Sequence, residues 1–125
     1  MKTEHWKEEP DEKDYPAAFN YLSLKTDTRE AKKIVKTMKR SSRIDHFMAK
    51  DLFRASGLPH LAADDHEVKK DLAKVKSGEK LSPVLLVRGT PLWVADGYHR
   101  ICASYYLDED EEIPCRIVDR ITTSR

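Results

Sequence analysis

Five consecutive residues, Asp96-Gly97-Tyr98-His99-Arg100, combine side-chain types that bind phosphate groups and move protons. The arginine presents a planar fork that suits phosphate oxygens, and the histidine is a hydrogen-bond donor or a proton shuttle. The glycine permits a positive φ or a close approach of the backbone to a ligand. A glycine turn with a surface arginine and a capped histidine would have the same sequence, so the flanking residues must decide between the two interpretations.

The elements around this pentapeptide favour phosphate binding. The apolar run at residues 92–95 predicts a buried strand, and Ile101, Cys102 and Tyr105 fit a short helix over residues 98–107. The pentapeptide therefore lies at a strand-to-helix turn. The first backbone N–H groups of a helix have no intrahelical partner and the helix dipole is positive there, so an anion gains hydrogen bonds and charge stabilisation together.

A second predicted helix carries two lysines that face either solvent or an anion. Asp64 and Glu67 have the spacing of a capping box, and Gly78 stands where a C-cap glycine is expected. The apolar stripe of this helix consists of Val68, Leu72 and Val75. Lys70 and Lys74 lie nearly opposite that stripe on a helical wheel, next to each other.

The first 43 residues separate into an acidic and a basic part. Residues 1–20 hold six acids and two prolines among few apolar residues, which predicts a mobile acidic tail. Residues 21–43 are predicted to contain a basic amphipathic helix, opened by the capping-box spacing of Asp27 and Glu30. Its seven basic residues between positions 29 and 43 either lie along nucleic-acid phosphates or supply the solvated face that a surface helix needs.

The remaining segments complete one α/β domain at residues 44–125, which is an ordinary domain size. A strand from Ile44 is followed by a helical piece that stops at Gly57. Residues 83–87 and 92–95 predict a β-hairpin, and an acidic linker at residues 108–112 leads to a final strand.

Composition narrows the class of protein. The net charge is +1, 36% of residues are charged and the mean hydropathy is −0.70. No apolar run reaches the length of a membrane span and the N-terminus lacks the apolar core of a signal peptide, so we expect a cytoplasmic protein without a membrane partner. Cys102 and Cys115 lack the spacing of a zinc site and are too few for a disulfide framework, which predicts two reduced thiols.

The succession of strand, helix, strand, strand, helix and strand, with Gly97-Tyr98-His99-Arg100 at the last strand-to-helix turn, resembles the ParB/sulfiredoxin superfamily. The resemblance covers residues 44–118 and includes the segments SPVLLV, ADGYHR and IPCRIV in that order. It implies a small mixed sheet with flanking helices, preceded here by the N-terminal amphipathic helix. It also implies a phosphorylated ligand at the turn.

Sulfiredoxins are similar to this chain in layout and carry Gly-Cys-His-Arg at the turn. Gly97, His99 and Arg100 match that motif, but Tyr98 stands at the position of the catalytic cysteine. A phenol cannot replace the attacking thiolate, and Cys102 lies most of a helical turn away. Sulfinic acid reduction is therefore not expected.

Two other groups of relatives resemble the chain at the same turn. ParB proteins share its first glycine and last arginine and bind a cytidine nucleotide with a metal. ADP-dependent free-serine kinases carry Asp-Gly-x-His-Arg, which this chain reproduces with Asp96 as a metal ligand or as part of the turn. Asp64 and Asp65 are candidates for a second acid near a metal, and one of them is expected to be the helix cap. Sulfiredoxins also bind phosphate through side chains of the preceding helix. The resemblance aligns Lys70 and Lys74 with two of those ligand positions.

We therefore expect an α/β protein that binds a nucleotide (ATP, ADP or CTP), with Mg²⁺ as a candidate cofactor. Its phosphate ligands would be Gly97, Tyr98, His99, Arg100, Lys70 and Lys74. His99 and Asp96 are the catalytic candidates, for phosphoryl transfer or nucleotide hydrolysis. The alternative is a non-catalytic module that engages nucleic acid or a protein through residues 29–43, and a third interpretation has Tyr98 plugging a site that has lost its ligand.

Overall fold

A computed structural model describes residues 5–120. The helices and strands in this part of the chain are α1 (Asp14–Lys25), α2 (Thr28–Arg40), β1 (Asp45–Met48), α3 (Ala49–Ser56), α4 (His66–Lys76), β2 (Val84–Arg88), β3 (Trp93–Asp96), α5 (Tyr98–Leu107) and β4 (Glu112–Asp119). They confirm the prediction of a small α/β fold with a mixed sheet and flanking helices.

The four strands form one sheet in the order β1-β4-β2-β3. The two central strands, β2 and β4, run parallel, with Val84 opposite Cys115. Both edge strands run antiparallel to their neighbours, and the β2–β3 pair is the predicted hairpin. The carboxyl end of β3 leads directly into α5, which places residues 96–100 at one edge of the sheet.

Helices cover both faces of the sheet, because side chains of the central strands alternate between two buried clusters. On one face Val84 and Leu86 of β2 pack with residues of α3, α4 and α5. On the other face Leu85 and Val87 pack with α1 and α2, including Ile34. Each helix contributes apolar side chains to one cluster, and for α2 and α4 the helical spacing of the apolar residues predicted the buried side.

The helix termini follow the sequence signals closely. Asp27 caps α2 by accepting a hydrogen bond of 2.8 Å from the backbone N of Glu30, and α3 ends at Gly57 with φ of 72°. The cap of α4 is Asp65, which accepts from the backbone N of Glu67 and Val68, and not Asp64 as the capping-box spacing indicated. The helix begins one residue later than the capping-box spacing indicates. Asp65 therefore caps it, because its side chain reaches the free N–H groups of the first turn.

Residues 5–20 differ from the predicted mobile tail. Trp6 is buried with 3% of its surface exposed and forms a β-bridge with Leu81, and α1 begins at Asp14. The few apolar residues here are spaced for burial: Tyr15, Ala18 and Leu22 form one helical stripe. A count of charges could not detect this spacing. Residues 1–4 of the predicted tail lie outside the described residues.

The basic amphipathic helix predicted within residues 21–43 is confirmed as α2, Thr28–Arg40, which begins after the cap Asp27, while residues 21–25 belong to the end of α1. No helix among residues 5–120 combines the length and the apolar character needed to cross a bilayer.

Candidate functional site

Gly97 begins α5 in a conformation that requires glycine. Its φ is 114°, in the left-handed region. A Cβ atom at this position would lie 2.9 Å from Cγ2 of Val84 and 3.0 Å from Nη2 of Arg100. The turn therefore approaches β2 so closely that a larger residue would displace it.

The first turn of α5 has no side-chain cap, whereas aspartates cap α2 and α4. The helical ladder begins with the backbone N of Ile101 donating to the carbonyl of Gly97 at 2.9 Å. The backbone N–H groups of Tyr98, His99 and Arg100 therefore precede the ladder, at the positive end of the helix dipole. The strand-to-helix turn predicted at residues 96–100 is therefore confirmed, and the binding of an anion there stays a prediction.

Arg100 is anchored in the protein through one of its three guanidinium nitrogens. Nη2 donates to Oδ2 of Asp96 at 3.0 Å and to the carbonyl of Pro83 at 3.1 Å. Its side chain is only 15% exposed. Nε is buried and has no hydrogen-bond partner within residues 5–120. Arg100 thus orders the turn and retains a buried donor.

Asp14 is a member of this cluster that sequence reasoning missed. Its Oδ2 lies 3.8 Å from Nη2 of Arg100, the same nitrogen that contacts Oδ2 of Asp96 at 3.0 Å. The backbone N of Asp11 donates to the same Oδ2 at 3.0 Å. Asp14 was assigned to the tail, but the apolar spacing that begins at Tyr15 was a signal that a packed helix starts here.

The side chain of Asp96 is 17% exposed, and its partial burial raises the pKa of its carboxyl group. The positive charge of Arg100 acts in the opposite direction, while the neighbouring Asp14 raises the pKa further. The sequence left Asp96 either as a metal ligand or as a structural residue of the turn. In the structure it stabilises the turn, because its Oδ2 accepts a hydrogen bond from Arg100. No group of three or more side chains suited to a metal ion occurs among residues 5–120.

The helix α4 brings a further acid toward the turn, Asp71, which the sequence analysis did not select. Partial burial raises the pKa of Asp71, and the charges of Arg100, Lys74 and His99 oppose that effect. Asp71 therefore lies within electrostatic reach of two residues of the turn. Its position three residues after the buried Val68 was the available signal that it faces the protein.

The two predicted lysines of α4 have different surroundings. Lys74 is half-buried and acts electrostatically on Asp71. Lys70 is exposed, and its Nζ lies 3.7 Å from Oε1 of Glu67. Of the two lysines, Lys74 is therefore the better candidate for a residue of the site.

Tyr98 is engaged with the loop that precedes α4. Its hydroxyl donates to the carbonyl of Pro59 at 2.6 Å, and burial raises the pKa of the phenol. Its ring lies 5.4 Å from that of His99, measured between centroids. The side chain of Tyr98 thus holds the α3–α4 loop beside the turn. The sequence predicted that Tyr98 contacts a phosphate, and its hydroxyl contacts the protein backbone.

The two cysteines are free and buried, as predicted for reduced thiols. Burial raises the pKa of Cys102 and of Cys115, so neither is a thiolate near neutral pH. Nucleophilic thiolate chemistry is not favoured at either position.

Comparisons with protein-family models, with curated proteins and with solved structures found no match for this chain. The site is defined by its own geometry: a small α/β domain with an uncapped helix N-terminus beside a buried cluster of one arginine and two carboxyl groups. The relationship to the ParB/sulfiredoxin superfamily stays a prediction.

Proposed function

We propose that this chain binds a nucleotide through its phosphate groups at residues 97–100. The observation that carries the proposal is the buried Nε of Arg100, which has no partner within residues 5–120 and lies on the uncapped first turn of α5. Buried donors are almost always hydrogen-bonded in native proteins, to the chain, to water or to a ligand. A phosphate oxygen would satisfy this donor and the backbone N–H groups of the turn together.

The other residues of the turn have separate roles in this proposal. Gly97 holds the backbone in a conformation open to close approach, and His99 donates to a phosphate oxygen. Lys74 adds positive charge from α4, with Lys70 further out on the surface. Because Asp96 and Asp14 hold Nη2 of Arg100, the guanidinium reaches the ligand with its orientation already fixed.

Phosphoryl transfer and nucleotide hydrolysis are the reactions that such a cradle supports, since both depend on positioning and charge neutralisation. Both also need a group that takes a proton. His99 and Asp71 are the candidates for this role, because the half-buried Asp71 of α4 lies within electrostatic reach of the turn. Asp96 is less suited to it while its oxygen accepts from Arg100.

The residues present do not fit a resident Mg²⁺. A cation at Asp96 would compete with the guanidinium of Arg100, 3.0 Å away. We therefore place any Mg²⁺ with the nucleotide, as a complex with its phosphates.

Calorimetric titration with ATP, ADP and CTP, each with and without Mg²⁺, tests the proposal. Arg100→Lys keeps a positive charge near Asp96 but removes the Nε donor, so we expect affinity to fall about tenfold. Arg88→Lys is the matched control, because Arg88 pairs with Asp119 on the surface, 2.8 Å away. The proposal is wrong if no nucleotide binds saturably, or if the two variants lose affinity equally.

A second function, the engagement of a polyanionic partner, is favoured by the solvent face of α2. The exposed basic residues of this face that form no ion pair with another described residue are Arg29, Lys32, Lys33, Lys36 and Arg40. A row of unpaired cations would bind nucleic-acid phosphates in a salt-dependent manner, or an acidic protein surface.

Charge reversal separates this second function from the first. Replacing Lys32, Lys33 and Lys36 by Glu should abolish salt-sensitive binding to single- and double-stranded nucleic acid and leave nucleotide titrations unchanged. The same reversal at Lys69, Lys76 and Lys80, which are also exposed, is the control. Equal losses in both triple variants would indicate that only net charge matters, which would rule out a specific surface on α2.

A further inference from the structure

We propose that copies of this chain associate head to tail, with an acidic turn of one copy seated in a basic groove of the next. The acidic turn is residues 107–112, between α5 and β4. The basic groove lies between α1 and α2 and is lined by Tyr15, Pro16, Phe19, Lys32, Val35 and Lys39. The inference rests on the second proposed function, since it names the acidic protein surface that α2 engages, and it is independent of nucleotide binding.

The groove combines an apolar floor with a rim of cations. It has a volume of about 280 Å³, and Phe19 and Val35 are half-buried in it. Lys32 and Lys39 are exposed at its edge. Lys32 forms no ion pair with another described residue, and the ion pair of Lys39 is a contact of 3.7 Å with Glu12, whose side chain is 87% exposed. An apolar side chain flanked by carboxylates would complement both features of the groove.

The cations of α2 repel one another along one side of the helix. Lys32 and Lys36 are four residues apart and Lys36 and Lys39 are three apart, so their side chains are neighbours. Like charges at this spacing destabilise a helix slightly. A partner that brings carboxylates to this side of α2 therefore relieves a repulsion that the isolated chain carries.

The acidic turn presents an exposed apolar side chain beside carboxylates. Leu107, the last residue of α5, is 43% exposed. Positions 108, 109, 110 and 112 are exposed acids, and the last turn of α5 contains no basic residue, so these acids lie at the negative end of the helix dipole. Lys50 lies 2.6 Å from Asp110, whereas Glu109 and Glu112 form no ion pair with another described residue. The rim of the groove supplies the cations that this turn needs.

The two surfaces of one chain cannot meet each other. Helix α5 packs on one face of the sheet through Ile101, while α1 and α2 pack on the other face through Leu22 and Ile34. The sheet separates the acidic turn from the groove of the same chain, so the contact joins two copies. Because two different surfaces meet, the interface is heterologous and each pair keeps one free groove and one free turn. The contact is small, so we expect weak association that depends on protein concentration.

Sedimentation velocity over a range of protein concentrations tests the proposal. At about 50 mM salt the mean mass should rise with protein concentration, and at about 500 mM salt it should return to that of the monomer, because salt screens the charges of both surfaces. A monomer mass at every concentration in low salt would overturn the proposal. Association that is insensitive to salt would also overturn it, since the contact would then not depend on these charges.

Two variants, each altered at one surface, test which surfaces meet. Lys32→Glu together with Lys39→Glu inverts the rim of the groove, and Leu107→Asp places a charge against its apolar floor. Each variant alone should stay monomeric, with a dissociation constant raised at least about tenfold. Their equimolar mixture should form a pair with one copy of each and nothing larger, because one variant keeps its turn and the other keeps its groove. A mixture that stays monomeric would contradict the proposal.

Matched controls make the same changes at exposed positions outside both surfaces. Leu24→Asp is the control for Leu107→Asp, because Leu24 is 87% exposed. Lys69→Glu together with Lys76→Glu on α4 is the control for the groove variant. Both controls should associate as the wild type does. Losses equal to those of the groove and turn variants would show that the association is not specific to these surfaces and would overturn the proposal.

Titration with single- and double-stranded oligonucleotides separates self-association from the second proposed function. If the wild type stays monomeric but binds an oligonucleotide that the groove variant does not bind, the groove takes nucleic acid and self-association is wrong. If the wild type stays monomeric and binds neither oligonucleotide, both proposals are wrong.

Discussion

The phenol oxygen of Tyr15 lies 3.1 Å from Nη1 of Arg116, in the protein interior and 101 residues apart in the sequence. Arg116 is 2% exposed on β4, and its Nη1 also donates to the carbonyl of Met38 on α2 at 3.3 Å. This contact ties α1, α2 and the sheet together through a buried charge. It also holds α1 in the position from which Asp14 reaches Arg100.

Removing the phenol should therefore destabilise the fold. Tyr15→Phe leaves a donor of the buried guanidinium without this partner, and we expect a loss of about 1–3 kcal/mol in the free energy of unfolding. Tyr21→Phe is the matched control on the same helix, because no hydrogen bond of the Tyr21 hydroxyl to another described residue is present. Urea denaturation of both variants checks this prediction, which fails if the two lose the same stability.

Alanine at Gly97 should be far more damaging than alanine at another glycine of positive φ. Gly78 also has a left-handed φ, 91°, but a Cβ there would have nothing within 4 Å. We expect Gly78→Ala to cost about 1 kcal/mol from backbone strain alone. Gly97→Ala adds the clash with Val84 and should cost about 3 kcal/mol or more, so thermal unfolding should occur at a clearly lower temperature. Similar thermal unfolding midpoints for the two variants would show that β2 has room for a Cβ atom at residue 97 and would contradict this prediction.

The cap of α4 can be located by two single substitutions. Asp65→Ala removes the acceptor for two backbone N–H groups and should lower the free energy of unfolding by about 1 kcal/mol. Asp64→Ala should have little effect, since Asp64 is exposed and does not cap the helix. A larger loss for Asp64→Ala would restore the capping box that the spacing indicated.

The raised pKa of Asp71 predicts a pH-dependent loss of stability. Because its pKa is higher in the folded than in the unfolded state, the folded protein binds more protons between the two values. The contribution of Asp71 to stability is therefore present below the unfolded pKa and is lost as pH rises through the folded pKa. Asp71→Asn should reduce this decline, measured as the urea midpoint at a series of pH values. If stability declined more steeply with pH in the variant, the charges of Arg100 and Lys74 would outweigh burial in setting the pKa of Asp71.

Local signals predicted the elements that position the site. The apolar run before Gly97 and the helical spacing after it gave the bounds of α5, Tyr98–Leu107, and Gly57 marked the end of α3. These signals succeed because turn and capping preferences are properties of a few adjacent residues.

The cluster around Arg100 could not be predicted in the same way. Asp14 and Asp71 lie far from the turn in sequence and reach it only through the packing of α1 and α4. A helical wheel distinguishes buried from exposed faces, but it does not say which neighbouring element a half-buried acid meets. The burial of Arg100 was missed for the same reason, since an arginine in a surface turn is normally solvated.

The most direct test of the central claim is an NMR titration of ¹⁵N-labelled protein with ATP, observing the Arg100 Nε–H and the backbone amides of residues 98–100. The phosphate site predicts saturable shifts of these resonances together, with much smaller changes on the solvent face of α2. Saturable shifts on α2 alone, or no saturable shift of the Arg100 Nε–H and the amides of residues 98–100 with ATP, ADP or CTP, would contradict it.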